Sequence, residues 1–178
     1  MRMGKICVLR LGHRPKRDRR ITTHVFLAAR ALGADEGVLC GEKDESVIAG
    51  IRKVCALWGG GFQIKYEEDW AGFVASRKKA GWVVAHLTMY GEDFEKPVKA
   101  FSKKNVLVVV GAGKVPREAY ALADFNLAVA NQPHSEVSAL ALFLDRARGG
   151  KGFGKDMKGK LRIVPNKCGK LVVRGENE

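Results

Sequence analysis

The chain has 178 residues, of which 46% are hydrophobic, and it carries a formal net charge of +13. This length and composition are typical of one compact domain with a full core, and no apolar run reaches the roughly 18 residues of a membrane-spanning helix. The basic and then apolar start, MRMGKICVLRLG, lacks the long apolar segment of a secretion signal, so we expect it to form the first strand.

The first half of the chain alternates apolar strands with amphipathic helices. We predict three strands from short apolar runs, over residues 6–11, 37–40 and 62–66. Apolar residues at helical spacing predict three helices, over residues 22–32, 45–58 and 70–79. The first helix is predicted to be capped by Thr22 or Thr23, after a polar loop of residues 12–20 in which Pro15 breaks any helix.

The second half continues this alternation and then changes character. Three further strands are predicted, over residues 82–87, 105–110 and 125–129. Three further helices are predicted, over residues 93–103, 116–123 and 135–146. After a flexible glycine link at 149–152, we predict a basic β-hairpin of low independent stability, formed by residues 160–164 and 170–174.

Six consecutive strand–helix units indicate an α/β fold. Strands such as NVLVVV are apolar at consecutive positions, which is typical of strands that are buried on both faces. We therefore predict a mostly parallel sheet with helices on both faces. Because such sheets bind ligands at the carboxyl ends of their strands, the loops after Leu87, Val110 and Ala130 are the candidate binding loops.

The positive charge is concentrated in two segments. Residues 10–30 contain seven basic residues and one acid, and residues 148–174 contain nine basic residues and one acid. The rest of the chain has 16 basic and 17 acidic residues and is nearly neutral. Two basic segments on a neutral body predict a surface for a polyanion, most simply a nucleic acid. The alternative is a solvated basic face that only aids solubility.

Signatures of several common sites are missing from the sequence. The loop after the first strand has a single glycine, Gly12, so the dinucleotide-binding fingerprint is absent. The four histidines have no metal-ligand spacing, so we predict no metal site, and we expect His86 to be a hydrogen-bonded core residue. The four cysteines form no C-x-x-C pair and are expected to be reduced thiols of a cytosolic protein, with Cys7 and Cys40 buried.

Residues 128–146 combine a strand end, the polar turn NQPH and a helix with Ser135 as its cap. Backbone N–H groups at a helix start are unpaired, and the turn adds amide, imidazole and hydroxyl groups. These features predict a small-molecule pocket. The alternative is an ordinary strand–turn–helix joint with Glu136 favourably placed on the helix dipole.

Four motifs in this order resemble a known family. They are LRLGHRPKRDRRITTHV at 9–25, HLTMYG at 86–91, VVVGAGKVP at 108–116 and NLAVANQPHSEVSALALFLDR at 126–146. Together they resemble the archaeal tRNA methyltransferases that modify the ribose 2′-hydroxyl of the cytidine at tRNA position 56. That family belongs to the SPOUT superfamily of trefoil-knotted α/β methyltransferases.

The resemblance implies a cofactor, partners and a domain division. It implies S-adenosyl-L-methionine in the knot loops, tRNA as substrate, a homodimer, a knotted domain at 1–148 and a basic extension at 149–178. The implied cofactor-binding residues are Leu87, Gly111, Ala112, Gly113, Lys114, Val115, Val129, Ala130, Asn131, Gln132, Pro133, His134, Ser135 and Glu136. Gly113 departs from the family pattern, in which a larger polar residue is expected. The chemistry of these residues is consistent with the implied cofactor, because an adenine-bearing methyl donor needs an apolar slot rather than a phosphate-binding loop.

Methyl transfer to a ribose oxygen requires that the hydroxyl lose its proton or that its developing charge be stabilised. The resemblance implies an arginine near the 2′-hydroxyl, and Arg20 is our candidate. Because the pKa of arginine lies above about 12, it either acts with a strongly lowered pKa or stabilises charge while another group takes the proton. Arg14 and Arg17 are the next candidates for this role, and all three arginines could instead be phosphate contacts. Arg14, Arg17 and Arg19 are expected to bind RNA. The alternative function is a catalytically silent RNA-binding module or assembly factor.

Overall fold

The computed structural model describes residues 4–150 and 156–175. The strands within these ranges are β1 (Ile6–His13), β2 (Glu36–Gly41), β3 (Gln63–Tyr66), β4 (Val83–Asp93), β5 (Val106–Gly111), β6 (Phe125–Ala128), β7 (Leu161–Val164) and β8 (Leu171–Arg174). The helices are α1 (Pro15–Ala31), α2 (Glu45–Trp58), α3 (Trp70–Lys79), α4 (Glu95–Lys99), α5 (Arg117–Leu122) and α6 (Glu136–Ala147). A 3-10 turn, Ala100–Lys103, follows α4 directly. Within the described ranges, no helix is both long and apolar enough to cross a membrane.

Strands β1 to β6 form one parallel sheet in the order β3-β2-β1-β5-β4-β6. In β1, Val8 pairs with Gly37 of β2 on one side and with Val108 of β5 on the other. Strands β2 and β3 extend to one side of β1, and the next three lie on its other side. This arrangement confirms the predicted parallel sheet, and it brings the carboxyl ends of β1, β5 and β4 together at one edge.

Helices cover both faces of the sheet. Because successive side chains of a strand point to opposite faces, neighbouring residues of β1 enter different clusters. Val8 packs with residues of α1, α2 and α6, whereas Leu9 packs with residues of α3 and α5. Both side chains are fully buried. Burial on both faces is the reason that these strands are apolar at consecutive positions.

The start of α1 differs from the prediction. The helix begins at Pro15, so most of the predicted polar loop of residues 12–20 is helical, and neither Thr22 nor Thr23 is a cap. Proline is tolerated at the first helical position because the N–H that it lacks has no partner there, and its fixed φ suits the helix. Thr22 is instead fully buried in the middle of α1. The error arose because Pro15 was interpreted as a helix breaker rather than as a helix start.

Strand β4 is longer than predicted. It pairs with β6 up to Leu87, and the pairing resumes at Glu92, so that both residues lie opposite Leu127. Residues 88–91, which we predicted to be a loop, therefore bulge out of the ladder within the strand. The predicted helix over 93–103 shortens to α4 and its 3-10 turn.

The predicted C-terminal hairpin is confirmed, and it packs against the turn after α2. Strands β7 and β8 pair antiparallel, with Ile163 opposite Val172. The N–H of Gly60 donates to the carbonyl of Met157 at 2.8 Å, and a Cβ on Gly159 would lie 2.3 Å from the carbonyl carbon of Trp58. The turn after α2 leads into β3, so the hairpin lies at the amino-terminal edge of the sheet, opposite the edge with the candidate binding loops. Part of the predicted glycine link, residues 151 and 152, lies outside the described residues.

Candidate functional site

Two adjoining cavities lie at the carboxyl ends of β4, β5 and β6. Their volumes are about 440 and about 200 Å³. The larger one lies within the range of roughly 300–1,000 Å³ that is usual for small-molecule sites. Both are lined by Leu87, Thr88, Met89, Gly111, Gly113 and Glu136. The three candidate binding loops therefore meet at one site.

Most of the cofactor-binding residues that the resemblance implies line these cavities. They are Leu87, Gly111, Gly113, Lys114, Val115, Val129, His134, Ser135 and Glu136. Five others lie in the same loops but outside the lining, namely Ala112, Ala130, Asn131, Gln132 and Pro133. Asn131 supports the site from behind, because its Nδ2 donates to the carbonyls of Met89 at 2.8 Å and Gly91 at 3.1 Å.

Several lining residues were not assigned from the sequence. They are His86, Thr88, Met89, Tyr90, Tyr120, Leu127 and Ala139. Thr88, Met89 and Tyr90 lie in a candidate binding loop, and that position could have identified them as lining residues from the sequence. Tyr120 and Ala139 enter the site from α5 and α6, and helical spacing alone does not distinguish them from ordinary core residues.

The glycines of the β5 loop leave bare backbone at the cavity. A Cβ on Gly111 would lie 2.2 Å from Cγ2 of Val115, so a side chain at that position would force the Val115 side chain to move. Gly113 has a φ of +122°, which side-chain-bearing residues rarely adopt. The glycine that departs from the family pattern therefore suits its backbone conformation here.

The polar turn leads into α6 as predicted. Ser135 is the N-cap, and its Oγ accepts a hydrogen bond of 3.2 Å from the N–H of Val137. Nδ1 of His134 lies 2.6 Å from the carbonyl oxygen of Gln132, which fixes the imidazole over the turn. Glu136 follows as the first residue of the helix, where the helix dipole favours a carboxylate.

Arg10 is a buried residue behind the cavities and not part of the basic surface. Its side chain is completely inaccessible to solvent. Its Nη2 donates to Oε1 of Glu136 at 2.9 Å, its Nη1 donates to the carbonyl of Gly111, and its Nε donates to Oγ1 of Thr22 at 3.3 Å. Burial lowers the pKa of Arg10, and the carboxylate of Glu136 opposes that effect. Counting Arg10 in a polyanion surface was wrong, because it joins β1, the β5 loop and the start of α6.

His86 is the hydrogen-bonded core residue that we expected. Its Nδ1 lies 2.8 Å from Oδ1 of Asn126. Its ring packs edge-on against that of Tyr120, with 4.7 Å between the ring centroids. The amide nitrogen of Asn126 donates to a carbonyl, so its oxygen is free to accept from His86. Burial lowers the pKa of His86, which favours the neutral imidazole. Its buried Nε2 has no hydrogen-bond partner among the residues that the structure describes and remains an acceptor in the wall of the larger cavity.

The arginines of the first basic segment have different surroundings. Nε of Arg14 lies 3.0 Å from Asp18, and its Nη2 donates to the carbonyl of Ala112 at 3.2 Å, beside the cavities. Arg17 lies 3.9 Å from Asp18, and Arg19 lies 3.0 Å from Asp44. Arg20 is exposed on α1 and makes no ion pair or side-chain hydrogen bond within the described parts of the chain.

Two further basic residues have structural roles instead of lying free on a nucleic-acid surface. Arg30 donates to the carbonyl of Gly59 at 2.6 Å and so holds the turn after α2. Arg148 is almost fully buried and pairs with Asp35 at 3.0 Å. Lys151 and Lys155 lie outside the described residues. In the hairpin, Lys160, Arg162, Lys167, Lys170 and Arg174 remain exposed.

The residues at the cavities fit the cofactor that the resemblance implies. Leu87 and Val115 provide apolar walls, Gly111 and Gly113 present backbone groups, and Glu136 places a carboxylate at both cavities, while Lys114 lines the larger one. No group of three or more histidine, cysteine or acidic residues arranged to hold a metal ion is found in the described ranges. Apolar walls with a few polar groups are the usual lining of a site for an organic ligand, such as an adenine-bearing methyl donor.

Sequence comparison identifies the family of this chain. A family model described as tRNA ribose 2′-O-methyltransferase, aTrm56, matches residues 58–173. A relative from Thermococcus kodakarensis, named tRNA (cytidine(56)-2′-O)-methyltransferase, is 49% identical over 96% of this chain and 98% of its own length. A relative of the same name from Methanocaldococcus jannaschii is 51% identical over 94% of this chain and 95% of its own length.

Solved structures share the fold. The SpoU methyltransferase AviRb from Streptomyces viridochromogenes, crystallised with AdoMet, has a TM-score of 0.62 at 18% identity, over 87% of this chain and 61% of its own. A TrmH/SpoU tRNA-modifying enzyme from A. aeolicus has a TM-score of 0.61 at 14% identity, over 84% of this chain and 77% of its own. With about half of its residues identical to the curated relatives over nearly its whole length, the chain belongs to the tRNA ribose 2′-O-methyltransferase family that its motifs resemble.

Proposed function

We propose that this protein transfers the methyl group of S-adenosyl-L-methionine to the ribose 2′-hydroxyl of the cytidine at position 56 of tRNA. The observation that carries this proposal is the pair of cavities between the three binding loops, lined by nine of the residues that the family resemblance implies. The names of the curated relatives support the choice of nucleotide. Binding of the donor distinguishes this function from a silent RNA-binding module, which would bind none.

The loops of this chain hold and orient the methyl donor. S-Adenosyl-L-methionine supplies a methyl group on a positively charged sulfur. Gly111 and Gly113 would present bare backbone to the donor, and Leu87 and Val115 would form apolar walls that exclude water. Orienting the donor and the ribose oxygen in line removes much of the entropic part of the barrier.

We further propose that the protein acts as a homodimer with Arg20 near the reacting hydroxyl. Arg20 lies six residues beyond Arg14, or about 9 Å along α1, and no residue of α1 lines the cavities. An Arg20 that takes part in catalysis must therefore reach the cavity of a second copy. Unlike Arg14, Arg17 and Arg19, it has no acidic partner in the described ranges. Its guanidinium is free to stabilise the oxygen as the hydroxyl proton passes to another base, such as water.

The remaining exposed basic groups are proposed to hold the tRNA. Arg14, Arg17, Arg19 and the hairpin present positive charge at separate places on the subunit, which a dimer doubles. Position 56 lies at the tRNA elbow, so the enzyme must loosen a tertiary contact to reach it. The trefoil knot implied by the resemblance and a cytoplasmic location, in keeping with the buried thiols of Cys7 and Cys40, complete this proposal.

The test is single-turnover methylation of an unmodified tRNA transcript with labelled donor. Alkaline hydrolysis should leave one protected linkage, at position 56, and label on a base would contradict the proposal. Arg20→Ala should lower the rate by about 10² or more, as expected when one donor to a developing oxyanion is removed. Arg17→Ala is the matched control and should change tRNA affinity but not this rate. A normal rate with Arg20→Ala would transfer the role to Arg14 or Arg17.

A further inference from the structure

We infer that Glu136, held in place by Arg10, makes the cavity prefer the positively charged sulfonium donor over the uncharged thioether product. The inference rests on the proposed function, because it concerns the same cavities. It assigns a specificity role to Glu136 and a positioning role to Arg10.

Glu136 is the only carboxylate among the residues that line the two cavities in the described structure. Its side chain is 31% exposed, whereas that of Arg10 is fully buried. Oε1 of Glu136 accepts from Arg10 at 2.9 Å, and Oε2 has no hydrogen-bond partner within the described ranges. The ion pair is therefore oriented, with the guanidinium of Arg10 inside the protein and the carboxylate of Glu136 at the cavity.

Arg10 is held too firmly for this pair to rearrange easily. Its three nitrogens donate to Glu136, the carbonyl of Gly111 and the hydroxyl of Thr22. The planar guanidinium fixes these three groups relative to one another, which the ammonium of a lysine would not do. Arg10 thus sets the position of the carboxylate and of the backbone of Gly111, which lines the same cavities.

The donor and the product differ mainly in charge at sulfur. The donor carries a methyl group and a permanent positive charge there, and loss of the methyl group leaves a neutral thioether. The adenosine and amino-acid portions are the same in both molecules. A carboxylate at the cavity attracts the sulfonium more strongly than in bulk water, because the surrounding protein screens it less. The resulting selectivity would limit inhibition by the product.

The first test measures binding by calorimetry, without catalysis. Glu136→Gln keeps the shape and an oxygen that can accept from Arg10, but it removes the charge. It should weaken S-adenosylmethionine binding by about tenfold, equivalent to about 1.4 kcal/mol, while S-adenosylhomocysteine binding changes less than about threefold. Glu118→Gln is the matched control, because Glu118 is an exposed glutamate in the first turn of α5 and lies outside the cavity lining. It should change neither affinity.

The second test separates positioning by Arg10 from a general role in folding. In the wild-type background, Arg10→Lys should reduce the preference for S-adenosylmethionine over S-adenosylhomocysteine. In the Glu136→Gln background, it should leave the ratio of these two affinities unchanged. An equal reduction in both backgrounds would show that Arg10 does not act through Glu136. If the lysine variant fails to fold, the Glu136→Gln comparison still decides the inference.

The outcomes distinguish this inference from the proposed function. Equal weakening of donor and product by Glu136→Gln, or no change in either, would overturn the charge selectivity while leaving the methyl donor site intact. A wild-type protein that binds neither molecule would overturn both the proposed function and the inference.

Discussion

The guanidinium of Arg148 lies 3.0 Å from the carboxylate of Asp35, although 113 residues separate them. Arg148 also donates to the carbonyls of Gly33 and Gly4, so one side chain joins the end of α6 to the segments that enter β1 and β2. Arg148→Ala should lower the free energy of unfolding by about 2 kcal/mol, because buried carbonyls lose their donor. Urea unfolding measures this. Arg146→Ala, which removes an exposed partner of Asp145, is the control and should change the free energy of unfolding little. Equal losses of stability in the two variants would contradict the structural role of Arg148.

Asp44 should make the stability depend on pH in acid. It caps α2 and accepts hydrogen bonds from Ser46 and Arg19 at 3.0 Å each, and His13 lies 3.3 Å away. Burial alone would raise its pKa, but the hydrogen bonds from Ser46, Arg19 and His13 lower it well below its ordinary value. The folded state therefore favours the charged form, and this stabilisation is complete above the unfolded pKa of about 3.9. It is lost as the pH falls through the lower folded pKa.

Asp44→Asn should therefore be less stable than the wild type at pH 7 and should lose less additional stability between pH 5 and pH 2. Denaturant unfolding across this range measures both effects. Arg19→Gln removes one of the groups that lower the pKa and should give a smaller change in the same direction. If the stability of Asp44→Asn fell with pH between 5 and 2 as steeply as that of the wild type, Asp44 would not be the source of this pH dependence.

The cysteines should differ strongly in reactivity. Cys168 is exposed, whereas Cys7 and Cys40 are buried, as the sequence predicted. Burial raises the pKa of Cys7 well above its ordinary value and that of Cys40 to about 12, so neither forms the reactive thiolate at pH 8. An aromatic disulfide reagent should modify Cys168 rapidly, and Cys168→Ser should abolish that fast phase. Fast modification of Cys7 or Cys40 in the native protein would contradict the structure.

The architecture was largely predictable because it depends on local patterns. Consecutive apolar residues such as NVLVVV indicate strands that are buried on both faces. Six strands that alternate with amphipathic helices leave few arrangements other than a covered parallel sheet. Since parallel strands end at the same edge, the three binding loops followed from the same pattern. Ser135 was recognisable as a cap because a capping serine bonds to a backbone N–H only two residues further along the chain, here that of Val137.

The errors concern residues whose partners are distant in the sequence. Arg10 was interpreted as a surface charge because Glu136, which neutralises it, lies 126 positions away. Arg148 was misassigned for the same reason. The first turns of α1 were predicted to be a loop because Pro15 was interpreted as a helix breaker. The polar residues that follow it gave no apolar periodicity to correct this, since only Asp18 is buried among residues 15–20.

A substitution at Gly159 should detach the hairpin from the body of the protein. A Cβ at this position would lie 2.3 Å from the carbonyl carbon of Trp58, and backbone cannot give way as a flexible side chain can. Gly159→Ala should therefore increase proteolysis between α6 and β7 while leaving the affinity for S-adenosylmethionine unchanged. Gly50→Ala in α2, where a Cβ meets nothing within 4 Å, is the control and should not increase proteolysis. Wild-type protease resistance in Gly159→Ala would contradict this packing.

Charges on the hairpin should contribute to tRNA binding through the phosphates that they neutralise. Replacing the exposed Arg162, Lys170 and Arg174 by glutamine should weaken tRNA binding and reduce the slope of log affinity against log salt by up to about 0.9 for each phosphate that is no longer neutralised. Filter binding at several salt concentrations measures the slope. Replacing Lys53 and Lys79, exposed lysines outside both basic segments, provides the control. An unchanged slope would place the hairpin away from the RNA.

The hydrogen bonds of Arg10 determine when in folding the methyl donor site can appear. They connect β1 to Gly111 and Glu136, which lie 101 and 126 residues further along the chain. Pairings this distant in sequence form late, because the loop that they close must lose its freedom first. During synthesis, the first five strands can emerge and pair while the pocket is still incomplete. Binding of the donor would therefore stabilise nearly full-length chains most, because a nascent chain that ends before α6 lacks Glu136 and the partner that Glu136 provides for Arg10.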